Sequence, residues 1–104
     1  VVLLTNLEYR TALTLAGEVP GIDLVIAALP GQLPETAVRV PVTGTLVVTA
    51  EQPVPRHTGR RVGRLSVTID PDGKLVDPAW ASVWMDPGIP DDLEMTALLN
   101  AAQP

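Results

Sequence analysis

Two apolar runs decide the fold: Val1-Val2-Leu3-Leu4, bounded by Thr5-Asn6, and Ile22-Asp23-Leu24-Val25-Ile26-Ala27-Ala28-Leu29. Four or more consecutive aliphatic residues that end on polar ones fit a strand buried on both faces, as in a parallel sheet covered by helices. Between the runs, Leu7, Leu13 and Leu15 with Ala12 and Ala16 give a short helical pattern over Leu7 to Ala16, which Gly17 and Val19-Pro20-Gly21 terminate. Strand, helix, strand in this spacing predicts a βαβ unit with a right-handed crossover.

Working outward, Pro30, Gly31, Pro34 and Pro41 predict an irregular surface loop from Pro30 to Pro41. The β-branched stretch Thr45 to Thr49 predicts a third strand. A second loop, Ala50 to Gly59, carries Pro53 and Pro55. From Val62 to Asp70 the residues alternate, with Leu65, Val67 and Ile69 on the core face and Val62, Arg64, Ser66 and Thr68 on the wet one. Pro71-Asp72-Gly73 is turn chemistry, so Lys74 to Val76 should return as the second arm of a hairpin. Strand character resumes over Trp80 to Trp84 after a break at Asp77-Pro78. At the far end Asp91, with Glu94 three residues on, predicts a capping box, followed by a helix with the stripe Met95, Leu98, Leu99 and Ala102. The expected fold class is mixed α/β, a βαβ unit followed by a strand, a hairpin and a C-terminal helix.

The chain has 104 residues, the size of one domain or a piece of one. It opens without an initiator methionine or signal-peptide pattern and reads as a piece of a longer protein. With 46% hydrophobic residues it can build a core, but there is no Phe and aromatics are 3%, so aliphatic residues must fill it. The same scarcity leaves few rings for base stacking, and a net charge of −5 opposes phosphate backbones, so no nucleic-acid partner is expected. No apolar run approaches the ~20 residues that span a bilayer, so no membrane insertion is expected and the chain reads as soluble. The absence of cysteine removes disulfides, thiolate metal sites and cysteine nucleophiles.

Several residues carry chemistry, each with a plainer reading beside it. Arg56, Arg60, Arg61 and Arg64, with His57, form a basic run suited to an anion, because guanidinium groups pair bidentately with phosphate; a solvated loop and the wet face of a strand account for the same charges. His57 beside an acid can serve as a general base, although no serine or cysteine nucleophile accompanies it, and a loop histidine is more often simply exposed. Asp70, Asp72, Asp77, Asp86, Asp91 and Asp92 suggest calcium by number but lack EF-hand spacing and flank Pro or Gly as turn and cap residues. Trp80 and Trp84, near Met85, can offer a ligand platform or fill a core without Phe.

The wording Val-Val-Leu-Leu-Thr-Asn-Leu at the start, then Thr-Leu-Ala-Gly-Glu-Val-Pro-Gly-Ile-Asp up to Asp23, resembles the late part of 5'-nucleotidase-type metallophosphatases of the calcineurin-like phosphoesterase superfamily. The likeness continues in order through Gly44-Thr45-Leu46-Val47-Val48, the run from Gly59 to Leu65, Asp70-Pro71-Asp72-Gly73-Lys74 and Ile89-Pro90-Asp91-Asp92. The resemblance implies two divalent metal ions, with Ser-His at the end of one strand and Gly-Gly-His-Thr-His after the next. Here Thr5-Asn6 stands for the first and Ala27-Ala28-Leu29-Pro30-Gly31 for the second. Asn6, Leu29 and Gly31 are thus degenerate ligand positions, and His57 matches neither motif. A two-cation centre needs carboxylate, imidazole and amide ligands that hold the ions ~3.5–4 Å apart; Leu29 and Gly31 supply no side-chain ligand.

The expectation is therefore a non-catalytic structural or interaction module with no catalytic residue, metal or cofactor of its own. Its partner would be the upstream part of the same domain, a second copy or another protein. The alternative is a segment of an active metal-dependent phosphoesterase whose remaining ligands lie upstream. Membership of such a family would tilt the compartment outside the cytoplasm.

Overall fold

The computed structural model describes residues 1–29, 37–49 and 61–103. Among them the chain runs β1 (Val2–Glu8), α1 (Tyr9–Glu18), β2 (Leu24–Leu29), β3 (Val38–Arg39), β4 (Leu46–Thr49), β5 (Arg61–Ile69), β6 (Leu75–Trp84) and α2 (Leu93–Ala102). One sheet has the order β1-β2-β4-β3 and the other is the β5-β6 hairpin. The first three strands are parallel, and β3 is antiparallel to β4. The fold is mixed α and β, with the expected βαβ unit at its start.

Burial follows position in the sheet. All four residues of β4 are buried, because strands lie on both sides of it and layers cover both faces. The edge strand β1 departs from the expectation of burial on both faces. It is longer than Val1 to Leu4 and alternates, with Leu3, Thr5 and Leu7 half-buried while Val2 is 58% and Leu4 73% exposed. An aliphatic run marks a strand, but only neighbours decide whether its second face is dry.

Two layers sandwich the parallel sheet. On one face, Tyr9, Ala12 and Ala16 of α1 pack against Val25, Ala27 and Val47. The small alanines at 12 and 16, four residues apart on the face that Tyr9 begins, let the helix axis approach the strands closely. The helix begins at Tyr9 rather than Leu7 because Leu7 is still strand; Glu8 caps it in extended conformation without a side-chain bond. On the other face Leu24, Leu46 and Val48 meet Leu65, Val67, Leu75 and Trp80 of the hairpin. Burying side chains of this kind stabilises by about 1.5–3 kcal/mol each.

Polar ties hold these layers. The Thr43 hydroxyl donates to the Ala16 carbonyl (2.7 Å) and that of Thr45, fully buried, to the Ile22 carbonyl (2.7 Å), linking the ends of α1, β2 and β4. Arg39 donates from Nη1 to the Gly44 carbonyl (2.7 Å) and from Nη2 to the Leu75 carbonyl (3.3 Å), which joins the sheet to the hairpin.

The hairpin turns as expected. One oxygen of Asp70 accepts from the amides of Asp72 and Lys74, each at 2.9 Å, and Gly73 takes φ +79°. Asp77-Pro78 does not break the strand. β6 is continuous, and the register passes from Thr68↔Val76 to Ser66↔Ala79, a bulge in which Asp77 takes φ +51°. A bulge accommodates a residue that has no N–H to give the ladder. Ile69 is exposed rather than in the core, since the hairpin tip extends past the sheet. Trp80 packs in the second core, whereas Trp84 is half exposed.

Other expectations shift. Val38–Arg39 is a short strand within the stretch read as a loop; 30–36, which begin that loop, and 50–60, which hold all of Ala50 to Gly59, lie outside the described residues. The cap of α2 is Asp92, not Asp91, with the Met95 amide donating to Asp92 Oδ1 at 2.8 Å. Glu94 thus falls at the second helical position, and no reciprocal capping box forms. No residue of α2 is buried. The radius of gyration, 16.4 Å, exceeds the ~13 Å of a closely packed chain this long, in keeping with a helix that the core does not cover.

Two substitutions test this packing. Thr45→Val leaves the Ile22 carbonyl without its donor and is expected to cost about 1–3 kcal/mol in urea denaturation. A Cβ at Gly63 would sit 2.6 Å from Cζ2 of Trp80 and closer still to Cη2. Gly63→Ala must therefore displace the indole from the second core, with an expected loss of about 1–3 kcal/mol and a changed tryptophan fluorescence. Unaltered midpoints would contradict both contacts.

Candidate functional site

Parallel sheets present chemistry at the carboxyl ends of their strands, where loops leave the scaffold. Here those ends are Asn6 to Glu8 on β1, Ala27 to Leu29 on β2 and Thr49 on β4. The register pairs Thr5 with Ala27 and Glu8 with Leu29, with an irregularity between, and Ala27 with Thr49. At that irregularity the Leu7 amide donates to the Thr5 hydroxyl (3.1 Å), and the Asn6 side chain is exposed. The order β1-β2-β4 also advances in one direction, so no reversal of winding opens a crevice between these three strands.

The donor set decides what this edge can bind. Adjacent to the Asn6 amide and the Glu8 carboxylate, β2 contributes the hydrocarbon residues Ala27, Ala28 and Leu29, the last with its backbone opposite Glu8. Among the described residues a neutral amide and one exposed carboxylate stand here without an imidazole, a set too small by itself for a paired-cation centre. Among the described residues no three of His, Cys, Asp and Glu come together. Gly31 lies outside the described residues.

The basic run is placed only in part. Arg64 is exposed on β5, opposite Ala81, and Arg61 opens the same strand opposite Trp84; Arg56, His57 and Arg60 lie outside the described residues. Several aspartates hold backbone rather than ligands: Asp70 and Asp86 accept amides in turns, Asp92 caps α2, and Asp23 pairs with the amino group of Val1. An open groove of about 330 Å³ is lined by Asp91, Asp92, Met95, Thr96, Leu99 and further residues of the same segment. All of them belong to α2 and its flanks, so the groove is the side of one helix and not an enclosure.

The sequence reading did not single out Glu8 or Thr49. Glu8 sits at a strand end that the aliphatic run Val1 to Leu4 places too early, whereas the strand read as Thr45 to Thr49 does end at Thr49. The alternation of Leu3, Thr5 and Leu7 is the pattern that carries β1 on to Glu8. No protein family matches this chain, and no curated protein sequence matches it either.

Tyr9, the only tyrosine, is 4% exposed where β1 passes into α1, and burial raises its phenol above the usual value of 10.0. The folded state therefore holds the proton to higher pH than the unfolded chain. Its contribution to stability is complete below pH 10 and declines as pH rises from there through the folded pKa. Absorbance at the phenolate band is expected to show Tyr9 ionising later in the native protein than in urea; coincident curves would contradict the burial.

Proposed function

We propose that the chain is a non-catalytic structural or interaction module, similar to the C-terminal part of a 5'-nucleotidase-type metallophosphatase domain whose metal ligands are lost. The observation that carries this reading is the residue set at the ends of the two adjacent parallel strands. Asn6 and Leu29 stand there with Ala27 and Ala28 between them, where the resemblance requires imidazoles. Hydrolysis by paired cations depends on their joint charge to polarise phosphate and activate water; the Asn6 amide ligates one ion weakly, and Leu29 supplies no side-chain ligand.

What remains is a scaffold with uncovered apolar surface. Val2 and Leu4 line the outer edge of the sheet, and Leu93, Met95, Leu98 and Leu99 are exposed on α2. Surfaces of this kind mark sites of association. The partner is the upstream part of the same domain, a second copy or another protein. Function on this reading is recognition through packed surface, with no metal or organic cofactor.

The test is an assay for hydrolysis of a chromogenic phosphate monoester by the full-length protein that carries these 104 residues, with manganese or zinc added, paired with calorimetric titration of that protein with the same ions. The expected outcome is no saturable binding in the micromolar range and no hydrolysis above buffer. Stoichiometric uptake of two cations, with turnover lost on Asn6→Ala, would establish the alternative of a phosphoesterase segment instead.

A further inference from the structure

The chain holds three aspartate-proline bonds, Asp70-Pro71, Asp77-Pro78 and Asp86-Pro87. Bonds of this kind are the most acid-labile in a peptide backbone, because the side-chain carboxyl reaches its own backbone carbonyl carbon through a five-membered ring. Proline, whose nitrogen belongs to a tertiary amide, then leaves as a basic secondary amine. In a folded chain the reaction depends on where the fold puts the carboxyl. The three aspartates differ in that respect.

Two of them are tied in turns. Asp70 Oδ1 accepts from the Asp72 and Lys74 amides, both at 2.9 Å, while the Asp70 carbonyl accepts from the Gly73 amide, also at 2.9 Å. Asp86 Oδ1 accepts from the Gly88 amide at 2.7 Å, and the Asp86 carbonyl from that of Ile89 at 3.1 Å. In each turn carboxylate and carbonyl hold separate amides, so the carboxylate must give up its donors before it can close on the carbonyl carbon.

Asp77 has no such tie. It is exposed in the bulge of β6, between Val76, opposite Thr68, and Ala79, opposite Ser66, and none of the described residues donates to its carboxylate. Across the ladder Ser66, Val67 and Thr68 do not titrate. Arg64, Asp70, Asp72 and Lys74 elsewhere on the hairpin do not pair with Asp77, nor does Arg39 of β3, which binds the Leu75 carbonyl. Its backbone stands at φ +51°, the only positive φ outside glycine among the described residues. Side-chain crowding disfavours that region, and the ring of a following proline narrows the choice further. Breaking the bond to Pro78 relieves that strain.

We propose that Asp77-Pro78 is a self-cleavage site, at which the chain severs itself in mild acid between the hairpin bulge and α2. A carboxyl oxygen of Asp77 bonds to the Asp77 carbonyl carbon, the bond from that carbon to the Pro78 nitrogen breaks, and the carboxyl proton passes to the nitrogen. Water then opens the cyclic anhydride and leaves Asp77 with both carboxyls free. Nothing is oxidised or reduced, and water is the sole co-reactant. After the cut, the rest of β6 is held by its ladder with β5 and by Trp80 in the second core.

The full-length protein that carries these residues is held in mild acid, and mass spectrometry counts the new amino termini at Pro71, Pro78 and Pro87. Circular dichroism follows the strands. Cleavage before Pro78 is expected to run about tenfold or more ahead of the other two. In urea at the same pH the three bonds should react at comparable rates, since the turns that restrain Asp70 and Asp86 are gone. Asp77→Asn, which removes the acid, should abolish the cut before Pro78. Gly88→Pro, which removes the amide that Asp86 holds, should raise the cut before Pro87. Equal cutting of the three bonds without urea would overturn the proposal, whether the fold does not discriminate or does not survive there. So would a first cut at either turn, or a bond before Pro78 that outlasts its reaction in urea. Metal uptake or phosphoester hydrolysis has no bearing on this cut, so it and the non-catalytic reading can fail separately.

Discussion

The structure depends on the pairing of β2 with β4, two short parallel strands whose side chains must be kept dry on both faces. Leu24, Leu46 and Val48 point one way and Val25, Ala27 and Val47 the other. Neither set is stable without a cover, so the rest of the chain is arranged as two lids. The first, α1, reaches its face with alanines, and the second, the hairpin, reaches the opposite face with Leu65, Val67, Leu75 and Trp80. A core without Phe is feasible in this layout because sheet-on-helix and sheet-on-ribbon contacts are thin and short aliphatic side chains fill them. The buried hydroxyl of Thr45 belongs to the same constraint, since it satisfies the Ile22 carbonyl where the chain enters β2.

Much of this was legible in the sequence wherever the determining interaction is local. The turn at Asp70 to Gly73 is set by side-chain-to-backbone bonds within five residues, and it formed where its residues require. Period-two alternation gave the core face of β5 at Leu65 and Val67. The errors cluster where a neighbour decides. Val2 and Leu4 are aliphatic, yet exposed because the hairpin that covers Leu24 and Ile26 on that face does not extend over β1. Ile69 continues the alternation but overhangs the sheet. Asp77-Pro78 has the composition of a break, and pairing with Ser66 and Thr68 converts it to a bulge. Asp91 and Asp92 are equivalent as caps by composition; geometry chose the second.

The candidate site was legible in a different sense. Sequence alone names Asn6 and Leu29 as positions of interest only through a resemblance, and the structure adds that they close adjacent parallel strands. What sequence does not carry is the register, with Glu8 rather than Asn6 directly opposite Leu29. That skip follows from the irregularity at Asn6-Leu7, where the Thr5 hydroxyl takes an amide the ladder leaves free. A local competition for one hydrogen bond therefore sets which side chains stand together at the strand ends.

Scaffold and chemistry make separate demands on a sequence. A strand tolerates alanine or leucine at its end as readily as histidine, because the ladder uses backbone groups and the cover needs only hydrocarbon. Cation binding tolerates neither, since each ligand must supply a lone pair at a fixed position. A change of residue at a strand end can therefore alter ligation while leaving β1, β2 and β4 paired. The apolar surface follows another rule. Exposed aliphatic residues on α2 contribute nothing to this core, and exposed apolar surface of this kind is a liability in water unless another surface covers it.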